Sequence, residues 1–331
     1  MSASQWRSFL SLGQPPRFCS FCRKPESASA PVRKVTRCNR CQLKQYCSLE
    51  CDSQDHGSHR SFCLHIERMR KHYETYPSHP LGVMSHQMGN LLFCVAYRTM
   101  DTFEHEAHIF QEALQYFHEA YVKYVESGRH VHNLEDQILV IFAALGHDML
   151  AFREIYLGLA TPLLSSSSLS SESSAKEITP HECTDLLTLL PDAPWRISHL
   201  TVLLLLKMRL LHRLKMRQNL FNVFQTTHAG LYLEQVHSVV HSILMGSTDA
   251  ILEQERQIYS IYRQLPAELM QAICHARPMI HTHAPRLFHV LVPTECWQIL
   301  QDCFRTIPDV EKMMNELAIA RQAVVIVNEG N

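Results

Sequence analysis

Apolar positions recur at helical spacing through most of the chain. Phe103, Ala107, Phe110, Leu114, Phe117, Tyr121 and Tyr124 follow one another in alternating steps of four and three, and Gly128 stands where a helix end favours glycine. This predicts a long amphipathic helix. Leu134, Ile138, Ile141 and Leu145 repeat the spacing before Gly146, and Leu150, Phe152, Ile155, Tyr156 and Leu159 continue it before Pro162. Short links between such segments favour antiparallel helical hairpins. Helical spacing returns after Pro194 over 197–216, then around 233–244, 251–265 and 267–273. Two late helices are expected to start at Pro293 or Thr294 and at Pro308, because proline fits the first turn of a helix. Ala323 to Val327 is β-prone and reads as a docked tail. No strand-like alternation of any length competes, and no repeat of fixed period appears.

One segment has no such pattern. Eight of the ten residues from Ser165 to Ser174 are serine, a composition that buries too little surface to order itself, and it reads as a flexible surface loop. The most apolar run, Val202 to Leu206, is cut off by Lys207 and Arg209, well short of the roughly 20 residues a membrane span needs. The segment from Met1 to Pro16 lacks a signal-peptide core, so an intracellular location, cytoplasmic or nuclear, is expected.

Composition changes this picture at the N-terminal end. The chain has 331 residues, enough for about two domains, and 46% of them are hydrophobic. Its formal charge of −1 hides an asymmetry: residues 1–80 carry 13 Lys/Arg against 6 Asp/Glu, leaving −8 for the rest. A basic head suggests nucleic acid or an acidic partner. Seven of the 12 cysteines fall between Cys19 and Cys63, however, and two Zn²⁺ held by seven thiolates would bring the head from +7 to about +4. That balance argues against nucleic acid and leaves proteins as the expected partners. The remaining cysteines, Cys94, Cys183, Cys274, Cys296 and Cys303, are scattered through apolar stretches and read as small buried hydrophobes.

The clustered cysteines have metal-ligand spacing. The order is Cys19-x2-Cys22, Cys38-x2-Cys41, Cys47-x3-Cys51 and His59-x3-Cys63. A pair two or three residues apart supplies two ligands from one tight turn or one helical turn, and structural zinc takes four in a tetrahedron. Eight ligands in four pairs therefore predict two closed Zn²⁺ sites per chain, with no position left for a catalytic water. Spacing alone fits both sequential and interleaved pairing. Other histidine pairs, His105/His108, His237/His241 and His281/His283, lack the spacing of a known metal motif, and His105 and His108 fall outside the stripe of Phe103, Ala107 and Phe110, on the solvated side.

The segments Cys-Ser-Phe-Cys, Cys-Asn-Arg-Cys, Gln-Tyr-Cys-Ser-Leu-Glu-Cys and His-Arg-Ser-Phe-Cys resemble the MYND zinc finger over about residues 17–66. The resemblance implies interleaved pairing, with Cys19, Cys22, Cys47 and Cys51 in one site and Cys38, Cys41, His59 and Cys63 in the other. It also implies a protein-binding role. His56 stands where such fingers often carry tryptophan, and Asp52 where glutamine is frequent. Those two residues help form the family's groove for proline-containing peptides, so that specificity is not carried over.

The expected fold class is mainly α: an N-terminal tail (1–16), a small two-zinc cross-braced finger (17–66) and an all-α body of helical hairpins (67–331). Glycine-rich phosphate loops and the Gly-x-Ser-x-Gly elbow are missing from the sequence. An interaction module or adaptor that is not an enzyme is the expected function. The alternative is an enzyme hidden in the helical body, either a relative of the protein lysine methyltransferases, since one group joins a MYND finger to a SET domain, or another activity; the SET group's Asn-His-Ser-Cys and glycine-rich segments are absent from this sequence. A weaker similarity links the chain to uncharacterised proteins in which such a finger precedes a helical body. It rests on 112–114 through 145–148, on 203–211 and on 276–278.

Overall fold

The computed structural model describes residues 18–25, 36–75, 82–99, 103–128, 132–166, 184–226, 234–266, 269, 294–308 and 310–329. They are mainly helical and divide into two compact units, Met1–Leu145 and Gly146–Asn331.

The first unit opens with the cysteine-rich segment. Strands β1 (Thr36–Arg37) and β2 (Gln45–Tyr46) pair antiparallel, with Thr36 opposite Tyr46 and Arg37 opposite Gln45. Helix α1 (Leu49–Thr75) follows. It begins there because Ser48 Oγ accepts from the Cys51 backbone N–H at 3.2 Å, as an N-cap does, while Glu50 and Asp52 in the first turn suit the positive end of the helix dipole.

Helix α1 runs past the last expected ligand and packs against α2 (Val83–Thr99), which forms an antiparallel hairpin with α3 (Phe103–Glu126). The hairpin closes tightly because Gly89 lets the Phe117 ring lie where a Cβ would come within 2.5 Å. Phe93 meets Phe110 edge-on at 5.9 Å and Phe117 at 6.4 Å. Phe110, Leu114 and Phe117 of the expected stripe are fully buried, and α3 ends just before Gly128 at φ +69°. Helix α4 (His132–Ala144) packs on α3, buries Leu134, Ile138 and Ile141, and ends before Gly146 at φ +71°.

The second unit comprises α5 (Asp148–Ser166), α6 (Leu186–Leu189), α7 (Ile197–Thr226), α8 (Glu234–Gln264), α9 (Thr294–Arg305) and α10 (Val310–Glu329). Helix α7 is its centre and packs against α5, α8 and α9. Residues 201–208 of α7 are all buried, Lys207 included. The Lys207 ammonium donates to the Thr184 carbonyl at 2.9 Å and sits 5.1 Å over the Phe152 ring. Arg209 and Arg213, one helical turn apart, both reach the Asp148 carboxylate, at 2.9 and 2.8 Å. Among the described residues no helix is long and apolar enough to cross a membrane.

Three expectations about the helices are corrected. Helix α5 continues through Pro162 to Ser166, so the first two serines of the serine-rich segment are helical; residues 167–174 lie outside the described residues. The segments at 233–244 and 251–265 form one helix, α8, across Gly246. Ala323 to Val327 belongs to α10, where the helical register of the preceding turns overrides the β preference of its valines. Helix α2 was not expected at all. Within 267–273 only Leu269 is described, and the N-terminal tail 1–16 also lies outside the described residues.

Candidate metal centre

Two tight turns present the first four cysteines. Cys19 accepts at its carbonyl from Arg23 N–H at 2.9 Å, and Cys38 does the same for Gln42 N–H at 2.9 Å. Arg23 and Gln42 each follow the second cysteine of their pair and adopt left-handed backbone, φ 60° and 57°. A non-glycine residue there costs roughly 1 kcal/mol or more, so the same strained geometry at both turns marks a shared demand: to aim two sulfurs at one point. The turns are tied together through β2, where Ser20 N–H donates to the Gln45 carbonyl at 2.7 Å and Gln45 N–H to Ser20 Oγ at 3.0 Å.

Helix α1 and the residue just before its cap supply the other four. Cys51, His59 and Cys63 recur at multiples of four along α1, and Cys47 precedes the cap. Cys19, Cys22, Cys47 and Cys51 thereby converge, as do Cys38, Cys41, His59 and Cys63, with the ligand atoms of each set all within 4.8 Å of one another. The pairs interleave: first with third, second with fourth.

The donor chemistry and spacing fit a tetrahedral metal. With Zn–S of about 2.3 Å, the edge between two sulfurs is about 3.8 Å. The Cys22–Cys47, Cys47–Cys51 and Cys38–Cys63 sulfurs stand 3.6, 3.7 and 3.7 Å apart. The Cys41 Sγ to His59 Nε2 edge is 3.1 Å, shorter than the about 3.6 Å of an ideal S–Zn–N edge. Both clusters can hold a metal ion.

Electrostatics point the same way. Burial, then hydrogen bonds from neighbouring cysteines, push the Cys47 thiol up to about 12; burial, then the charge of Cys41, pushes Cys63 up to about 12. Burial raises Cys41 as well. At Cys19 burial works against the thiolate, but backbone hydrogen bonds from Cys22, Cys47 and Phe21 outweigh it and bring the thiol down to about 7. Four adjacent thiolates repel one another, and a divalent cation between them removes that repulsion. Burial lowers His59, which favours the neutral imidazole that ligates metals.

Two contributors were missed in the sequence. Tyr46, nearly fully buried, places its hydroxyl 2.9 Å from His59 Nδ1 and 2.8 Å from Asp55 Oδ2. The available signal was the run Cys51, Asp55, His59, Cys63, four residues apart and therefore on one helix face. Burial, then its bond to Asp55, holds the Tyr46 hydroxyl well above the usual phenol range.

The cluster region is fastened to the hairpin. Glu106 of α3 is buried and meets Lys44 at 3.3 Å and Arg23 at 3.2 Å. His108 donates from Nε2 to the Leu43 carbonyl at 2.7 Å, and Arg70 pairs with Glu112. The expectation that His108 is solvated is thereby corrected: burial lowers its pKa, which matches a neutral ring acting as donor. The side chains of His105, His237, His241, His281 and His283 lie outside the described residues. Of the scattered cysteines, Cys303 is fully buried and Cys94 half-buried, while Cys183, Cys274 and Cys296 have side chains outside the described residues. No protein-family model matches the chain, and neither a curated protein nor a solved structure is similar to it.

Proposed function

We propose that residues 17–66 hold two structural Zn²⁺ in a finger of the MYND type, and that the chain is a protein-interaction module without catalysis of its own. The observation that carries this reading is the pair of closed four-donor clusters with nearly tetrahedral edges. The donor set is thiolate-rich with one imidazole, the set zinc takes in structural sites, and a full tetrahedron leaves no position for a reacting water. A closed site supplies no chemistry, so its use lies in the surface it holds rigid. A unit of this size has little core without metal.

On the finger, Leu49 (85% exposed) and Phe21 (43% exposed) lie beside ligands of the first cluster, while Gln54 and His56 are exposed on α1. Histidine buries less area than tryptophan, so recognition of proline-leucine-proline peptides is weak and partner binding leans on the helical body. Seven cysteines held outside any disulfide suit a reducing intracellular compartment.

Elemental analysis of the purified chain is the test. Two zinc per polypeptide is the expected result, and a value near one, or a third tightly bound transition metal, overturns it. Affinity purification of the intact chain beside a Cys47→Ala/Cys51→Ala form then separates partners of the finger from those of the helical body. No partner of either class overturns the interaction role.

A further inference from the structure

We propose that Tyr46 and Asp55 are positioning residues for the second metal site, fixing the proton of His59 on Nδ1 so that Nε2 alone faces the metal. The inference rests on the two-zinc reading.

Hydrogen bookkeeping fixes the direction of the chain of contacts. An Asp55 carboxylate only accepts, and Tyr46 has one hydroxyl hydrogen, so at 2.8 Å that hydrogen goes to Asp55 Oδ2. The Tyr46 oxygen is left to accept, and the group 2.9 Å away that can donate to it is His59 Nδ1–H. The opposite ring nitrogen, Nε2, then carries the lone pair, and it faces Cys41 Sγ within the Cys38, Cys41, His59, Cys63 cluster. Asp55 is itself anchored, since Ser58 Oγ donates to its other oxygen. Both the phenol and the imidazole are withdrawn from water, so solvent does not substitute readily for either partner.

This arrangement assigns unequal roles. Tyr46 alone could serve either tautomer, because a hydroxyl donates or accepts. Asp55 removes the choice. Without Asp55 the Tyr46 hydrogen is free to turn toward Nδ1, and the ring proton then moves to Nε2, where it blocks the metal. Although Asp55 is farther from the metal, its loss is at least as damaging as loss of the Tyr46 hydroxyl. Partners of this kind are worth about 10–100-fold in metal affinity.

The experiment uses the full chain loaded with cobalt(II), whose bands distinguish a four-sulfur site from a three-sulfur, one-nitrogen site, titrated against a chelator. In Tyr46→Phe and Asp55→Ala the three-sulfur site is expected to weaken by about 10–100-fold with the four-sulfur site unchanged, and the double variant to be no worse than Asp55→Ala. A purely structural role is separated by repeating both substitutions in a His59→Cys background, where both sites are four-sulfur and the readout is the total cobalt retained through the chelator titration. A thiolate has no tautomer to fix, so the cost there should vanish. Equal losses in the two backgrounds, or no loss in either, overturn the proposal. An unaltered chain that binds no cobalt at the three-sulfur site overturns the two-metal reading and the proposal together.

Discussion

Lys44 Nζ lies 3.3 Å from Glu106 Oε1, and both side chains are withdrawn from water, at 4% and 1% exposure. Arg23 completes the cluster at 3.2 Å. A buried pair of this kind is weak evidence for stability as a unit, but removing one partner strands the other. Glu106→Ala leaves the buried Lys44 ammonium without its carboxylate and is expected to cost about 3–5 kcal/mol in urea unfolding of the zinc-loaded chain. A Lys44→Met/Glu106→Leu pair should cost much less than Glu106→Ala, because no charge is left buried.

Metal removal should reach beyond the ligands. The turns at Cys19 and Cys38 and the start of α1 are held to the clusters, and Glu106 and His108 of α3 are bonded to Lys44 and Leu43. With a chelator, hydrogen exchange is expected to accelerate through 18–25 and 36–63 and in the first turns of α3. It should stay slow around Phe110, Leu114 and Phe117, where the hairpin core is apolar and needs no metal. Unchanged protection at 106–108 would show that the docking contacts persist without metal.

Two helical glycines should respond in opposite directions to alanine. Gly57, exposed in α1, has nothing within 4 Å of the place an added Cβ would take, so Gly57→Ala is expected to stabilise by about 0.5–1 kcal/mol through helix propensity alone. At Gly89 the new Cβ meets the Phe117 ring at 2.5 Å, and Gly89→Ala should destabilise by about 1–3 kcal/mol. Thermal melts of the two variants against the parent chain check the contrast.

Acid should weaken the first unit before its carboxylates titrate. Burial lowers His86 and brings His118 down to about 4. A histidine with a lowered folded pKa takes up its proton in the unfolded state first. Stability is therefore full above about 6.5 and falls as pH drops from there toward 4. In His118→Gln the slope of stability against pH over this window should flatten; an unchanged slope would remove His118 as a cause.

The four ligand pairs were legible because two- and three-residue gaps are set by local turn geometry, and the α3 stripe because steps of four and three leave no other period. The missed features depend on contacts distant in sequence. Helix α2 packs on α3 and buries Met88, Leu92 and Ala96, yet Gly89 interrupts the segment and its purpose is visible only against Phe117. Tyr46 and Asp55 are not ligands, and they meet only because β2 and α1 fold around the same cluster. The valines of Ala323 to Val327 favour strands locally, but they follow a helix already begun at Val310, and extending a helix costs less than starting one.

Helix α1 is one rod of 27 residues, about 40 Å long, with Cys51, His59 and Cys63 between its start and its middle and Arg70 and Tyr73 toward its far end, bonded to Glu112 and Glu119. The metal clusters and the hairpin are thus phased by the helical screw itself, with no hinge between them. One residue inserted between Cys63 and Arg70 advances the far end by about 1.5 Å and turns it by about 100°, which aims Arg70 and Tyr73 away from both carboxylates. The count of residues along the rod, and not only their identity, is therefore part of what the sequence specifies.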